Sequence, residues 1–111
     1  MKHEDERGVI EDLVVGENSA VTKITFTKGS VRGNHYHKKT HQIDLIVSGR
    51  LLAKTDMEEK EVATGDIIRH APLTKHAYKA LEDSVMVTMC AGPRKGEDYA
   101  DDTFKLETPL L

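Results

Sequence analysis

A chain of 111 residues, 32% charged and 38% hydrophobic, has room for one compact domain and none for a catalytic domain beside a cofactor domain. Its net charge of -3 comes with scattered Lys and Arg, so there is no basic footprint for nucleic acid, and no window nears the ~18 apolar residues of a membrane span. Acids at the start, where a signal peptide needs positive charge, and a lone cysteine, Cys90, point to a reducing cytoplasm.

Apolar spacing of the helical kind is missing, so helices are not expected. Short β-rich runs occur at 9–15, 21–27, 42–47, 51–55, 61–63, 67–69, 76–81 and 85–90. Turn residues separate them: Gly16-Glu17-Asn18-Ser19, Lys28-Gly29-Ser30, Ser48-Gly49, Thr64-Gly65-Asp66 and Glu82-Asp83-Ser84. The runs at 42–47 and 51–55 follow each other as in a hairpin. With the histidine-rich stretch at 33–42 they make about nine strands, which predicts an all-β antiparallel sandwich or barrel. Residues 1–111 read as one domain, with a core at about 9–91 and a C-terminal tail at 92–111. At the junction 91–96 reads as a loop, and 98–111 as a polar, acidic segment lying over the barrel or reaching a neighbour.

Three of the six histidines fall in Gly33-Asn34-His35-Tyr36-His37-Lys38-Lys39-Thr40-His41-Gln42. In a strand, positions i and i+2 share a face, so His35 and His37 point the same way. Two neutral imidazoles meeting at one point suit a divalent transition metal. Alternation lets only one of His41 and Gln42 face inward. If Gln42 does, Asp44 and Ile46 follow it, and Ile43, Leu45 and Val47 face out and need a second sheet or a dimer partner as cover. If His41 does, that apolar triplet fills the interior, which is the tidier core.

Four residues separate His37 from Gln42, and six separate Gln42 from Gly49. Further on, Gly65, Pro72 and His76 stand in the order Gly, spacer, Pro, spacer, His. These two segments resemble the two sequence motifs of the cupin superfamily over residues from about 21 to 90. The resemblance implies a jelly-roll β-barrel whose interior binds a metal, identified only as Zn, Ni, Fe or Mn, through His35, His37, Gln42 and His76. Gln42 stands where the family usually has Glu. The spacing to Gly49 favours Gln42 as the ligand, periodicity favours His41, and His41 stays the alternative.

The run Ser30-Val31-Arg32-Gly33-Asn34-His35-Tyr36-His37-Lys38 is similar to that of small cupins acting on sugars, the sugar-nucleotide isomerase and capsule-assembly group. The segment at 98–104 also resembles that group. This implies a metal-dependent isomerase or epimerase working on a sugar-like, anionic small molecule by proton transfer at a carbonyl. The alternatives are a non-catalytic small-ligand-binding cupin and a metal-dependent dioxygenase.

Asp44, two residues from Gln42, could act as general acid or base, or could anchor a hydrogen bond behind the metal ligands. Tyr78 shares a face with His76 and could donate a phenol proton or simply pack. Arg32 is expected at the pocket mouth, where a guanidinium can fork onto a carboxylate or phosphate. Tyr36 should point away from the histidine pair. His3, His70, the pair Glu58-Glu59 and the pair Asp101-Asp102 read as solvent-exposed, and Cys90 as a buried, inert thiol. Glycine-rich phosphate cradles and the Gly-x-Ser-x-Gly elbow are not in the sequence.

Overall fold

The computed structural model describes residues 2–92 and 102–111. Eleven strands are found among them: β1 (Lys2–Asp5), β2 (Gly8–Val15), β3 (Ser19–Phe26), β4 (Val31–Tyr36), β5 (His41–Ser48), β6 (Arg50–Thr55), β7 (Glu59–Ala63), β8 (Ile67–His70), β9 (His76–Ala80), β10 (Ser84–Ala91) and β11 (Phe104–Lys105). They form two antiparallel sheets, in the orders β1-β2-β3-β10-β5-β8 and β11-β4-β9-β6-β7. This is the all-β jelly roll expected. None of the described residues forms a helix long and apolar enough to cross a membrane.

Two strands lie outside the expected set. β1 is too charged to carry an alternating apolar signal, yet it pairs with β2 as an edge strand, a position that tolerates charge. β11 has only two residues and pairs with β4. The runs at 42–47 and 51–55 do not form a hairpin, because β5 lies in the first sheet and β6 in the second. A single residue, Gly49, separates them, fewer than the two of a tight hairpin turn. At φ 89° Gly49 carries the chain across, and a Cβ there would lie 2.2 Å from the Ser84 hydroxyl.

Alternation decides what enters the space between the sheets. Ile24 and Phe26 of β3, Ile46 of β5, Leu51 and Ala53 of β6, Ile68 of β8 and Met86 of β10 form its apolar part. On the same inward faces, further along the strands, stand Thr22, Gln42, Asp44, His70, His76 and Thr88, all buried. The register aligns them. On β10, Met86 sits opposite Ile46, Thr88 opposite Asp44 and Cys90 opposite Gln42. Cys90 is buried, as expected.

Candidate metal centre

β4 and β9 bring the histidines together, and the approach depends on a bulge. Arg32 pairs with Tyr78 and Gly33 with Ala77, but the register then slips so that His35 faces His76. Gly33 (φ 94°) and Asn34 (φ 58°) carry the slip. A Cβ on Gly33 would sit 3.0 Å from the Ala77 Cα and from the His76 carbonyl oxygen, so only glycine fits without a shift. The extra residue resets the alternation, and Arg32 therefore shares the interior with His35 and His37. Ring centroids lie 4.9 Å apart for His35 and His37, 4.6 Å for His35 and His76, and 5.4 Å for His37 and His76. One nitrogen from each comes within 4.8 Å of the others.

Hydrogen bonds outside the cluster fix which nitrogens face in. Nδ1–H of His37 donates to the carbonyl of Asp102 at 2.7 Å, which in the neutral ring leaves a lone pair on Nε2. That Nε2 lies 3.0 Å from Gln42 Oε1. The amide cannot turn over, because its Nε2 donates to both oxygens of Asp44 at 3.0 Å. Nδ1–H of His76 donates to the Thr74 carbonyl at 3.1 Å, and the opposite atom, Nε2, is buried without a hydrogen-bond partner. Burial, reinforced by the neighbouring His70 and His35, holds the His76 pKa well below the ordinary histidine value. The Nε2 of His76 and the Gln42 amide oxygen thus face the cluster that the His35 and His37 rings complete, a donor set that fits a divalent transition cation. His41 is on the outer face of β5, exposed, while Gln42 is buried.

Behind Gln42 lies a saturated carboxylate. Asp44 is fully buried and accepts from Gln42, from the Tyr78 phenol at 2.5 Å and from Thr88 Oγ1 at 2.8 Å, with His70 Nε2 3.2 Å away. Burial pushes its pKa up, but the His70 contact and the Tyr78 and Thr88 hydroxyls outweigh this, and the net direction is down. With its oxygens so engaged, Asp44 has the contacts that the anchoring alternative requires. Tyr78 is likewise committed: its proton points to Asp44, it sits 2.7 Å from His70 Nε2, and burial and that carboxylate push its pKa up.

Three expectations fail. His70 is buried, its ring stacked 4.2 Å from that of His76, because β8 runs antiparallel to β5 with His70 opposite Gln42. The signal was present: Ile68 is two residues away and apolar, so His70 shares its inward face while Arg69 is exposed. Asp102 is not in a solvated turn but buried, and holds the turn between β4 and β5. Arg32 is not at the mouth; it is 7% exposed, turned inward by a bulge whose local sign is Gly33 within the strand. The expected loop at 91–96, beyond residue 92, and the segment at 98–101 lie outside the described residues. Tyr36 does face away from the cluster, stacked on Phe104 at 5.4 Å.

A cavity of about 420 Å³ opens beside the cluster, lined by His35, His76 and Gln42 at one end, Phe26 and Met86 along its wall, and Arg32. Exposed Lys2 and His3 also border it. The Arg32 guanidinium is poorly matched by the protein. Its Nε is buried without a hydrogen-bond partner, and one Nη is 3.5 Å from the Thr25 carbonyl and 3.9 Å from Asp5. Asp5 is engaged by Arg7 at 2.7 Å. Burial, then the nearby Arg7, lowers the Arg32 pKa, against a smaller pull from Asp5.

The family model described as "Cupin domain" matches residues 22–92. A search of curated proteins by sequence gives no significant match. Among solved structures, the chain resembles CapF, determined with the inhibitor 3-isopropenyl-tropolone, at 20% identity and TM-score 0.78; the match covers 97% of this chain but 34% of CapF. KdgF from Halomonas sp. matches at 21% identity and TM-score 0.73, over 83% of this chain and 86% of that one. An RmlC-like cupin from Shewanella frigidimarina matches at 20% identity and TM-score 0.77, over 89% and 87%. At these identities the likeness shows a shared fold. The chain spans about a third of CapF.

Proposed function

The chain belongs to the cupin family, and on that footing we propose that it is a metal-binding enzyme of the isomerase or epimerase kind, acting on a small sugar-like carbonyl compound that carries an anionic group. One observation carries this reading: Nε2 of His37 and Oε1 of Gln42 lie 3.0 Å apart, beside the unpartnered Nε2 of His76. With the His37 ring neutral, acceptors so placed repel one another unless a cation lies between them. His35, His37, His76 and Gln42 would hold that ion. Bound there, a divalent metal would lend Lewis acidity to a carbonyl and its neighbouring hydroxyl.

The chain's own residues do the rest. Arg32 binds the anionic group through a guanidinium that its surroundings leave under-used. Phe26 and Met86 keep water from that wall of the cavity. Asp44, held by Tyr78 and Thr88, keeps the Gln42 oxygen pointed at the histidines. Residues 1–111 form one domain in this reading, and Cys90 suits a reducing cytoplasm. A second copy of the chain covers the outer face of the first sheet, where Val47 and Ile67 are exposed beside Ile43 and Leu45.

Elemental analysis of the purified chain, followed by turnover of keto-sugar acids with and without oxygen, tests the reading. Metal retention and oxygen-independent isomerisation are expected. Oxygen consumption would replace isomerase by dioxygenase. Thermal stabilisation by ligands without turnover would leave a binding protein. A chain that takes up none of zinc, nickel, iron or manganese would overturn the metal centre.

A further inference from the structure

Asp102 is the least expected buried charge of the molecule. Its Oδ1 accepts from the backbone N–H of Lys38 at 3.0 Å. Its Oδ2 accepts from the N–H of Lys39 at 2.9 Å, and from the N–H and Oγ1 of Thr40, both at 2.8 Å. One carboxylate therefore organises the whole turn between β4 and β5, the connection from His35 and His37 to Gln42. Charge-assisted bonds of this kind are shorter and stronger than neutral ones. The same residue's carbonyl receives Nδ1–H of His37 at 2.7 Å. A carbonyl can only accept, so this contact selects the tautomer whose Nε2 lone pair faces the cluster.

The segment that carries Asp102 is tied down independently of it. Leu106 N–H donates to the Asn34 carbonyl at 2.9 Å, and Asn34 Oδ1 accepts from the N–H of Leu110 at 2.8 Å and of Leu111 at 3.2 Å. Phe104 stacks on Tyr36, and the Lys38 ammonium lies 4.4 Å from the Phe104 ring centroid. The C-terminal segment is thus bound at Asn34, Tyr36 and Lys38, the residues interleaved with His35 and His37, on the side of β4 away from the cluster.

We propose that Asp102 is the positioning residue of the metal centre: its carboxylate shapes the 38–40 turn, and its carbonyl locks the His37 ring with Nε2 inward before any ion arrives. The inference rests on the reading of this cluster as a metal site. Partners that orient a ligating histidine are worth about 10–100-fold in metal affinity.

The test uses the full-length chain as wild type, Asp102→Ala and Asp102→Asn. Nitrogen-detected NMR of the metal-free proteins reads the His37 tautomer, and calorimetry reads zinc affinity. In wild type the Nδ1–H tautomer is expected alone. In Asp102→Ala a mixture of tautomers and a loss of about 10–100-fold in zinc affinity are expected, with amide shifts moving at 36–42 and not in β6 or β7. Asp102→Asn, which keeps one acceptor oxygen, should fall between, and it carries the test if the alanine variant does not fold. A His37 ring still wholly in the Nδ1–H form, or zinc affinity within twofold of wild type, would overturn the role of Asp102. Wild type that binds no zinc would sink the metal reading instead, and the metal-free tautomer would still decide for or against Asp102.

Discussion

The interior of the roll has two halves cut from the same strands. β5 contributes Ile46 to one and Gln42 and Asp44 to the other; β10 contributes Met86 and then Thr88; β9 contributes Ala80 and then His76. In the apolar half the contacts are non-directional, so a side chain of similar volume can replace another at a cost under about 1.5 kcal/mol. In the polar half the contacts are directional: Gln42 has Asp44, Asp44 has Tyr78 and Thr88, and His37 has Asp102. Shape alone does not make a residue replaceable there. One fold therefore carries two tolerances to change, and position along the strand decides which applies.

The sharpest break of that contrast is an isosteric one. Gln42 is where related motifs carry Glu, and Asp44 explains the amide. A carboxylate at 42 would face the Asp44 oxygens across the 3.0 Å now spanned by N–H donation. In the metal-free protein, Gln42→Glu should cost about 3–5 kcal/mol, the scale of an uncompensated buried charge. The double variant Gln42→Glu with Asp44→Asn should regain most of it, since donor and acceptor have only changed places. Denaturant unfolding of the single and double variants checks this, and strictly additive losses would refute the pairing.

Next in size is a change confined to the apolar half. Leu51 is wholly buried, and Leu51→Ala should destabilise by about 2–5 kcal/mol through lost transfer energy and a cavity. Zinc affinity, measured below the lowered melting temperature, should stay within about twofold of wild type. A loss of metal binding as large as that of a ligand variant would mean that the halves are not separable.

The two halves were unequally legible in the sequence. Alternation and turn residues give the strands, the all-β class and the shared face of His35 and His37, because these depend on neighbours in the chain. What lies across the interior is less visible. The tidiest apolar triplet, Ile43, Leu45 and Val47, belongs on the outer face, so the rule that apolar residues fill the core favours the wrong register. Arg32 turns inward through a bulge at Gly33 and Asn34 that alternation cannot anticipate. Asp102 is buried through contacts with a turn more than sixty residues away. β1 and β11 owe their existence to the strands beside them.

A smaller effect separates ion from fold. His76→Ala loses packing and the Thr74 bond with or without an ion, but its Nε2 has no protein partner, so the zinc-dependent part of the stability isolates the metal. With zinc at 100 times its dissociation constant, wild type should gain about 2.7 kcal/mol and His76→Ala nothing. Melting curves at rising zinc concentration read the difference directly. Parallel shifts in both proteins would place the ion elsewhere.

The smallest expected effect sharpens the comparison most, because it changes the side of the sheet and nothing else. His41 is chemically the better ligand and adjoins Gln42 in the chain, yet it projects from the outer face of β5 opposite Ala91, exposed to solvent. No rotation of its side chain can bring the ring through a paired strand into the interior. His41→Ala should therefore change stability by no more than about 0.5 kcal/mol and leave zinc affinity as it is, whereas Gln42→Ala removes an oxygen that faces His37. Calorimetric titration of the two alanine variants side by side compares neighbours on opposite faces of one strand. A tenfold loss in the first and none in the second would reverse the assignment of inside and outside on which the metal centre is built.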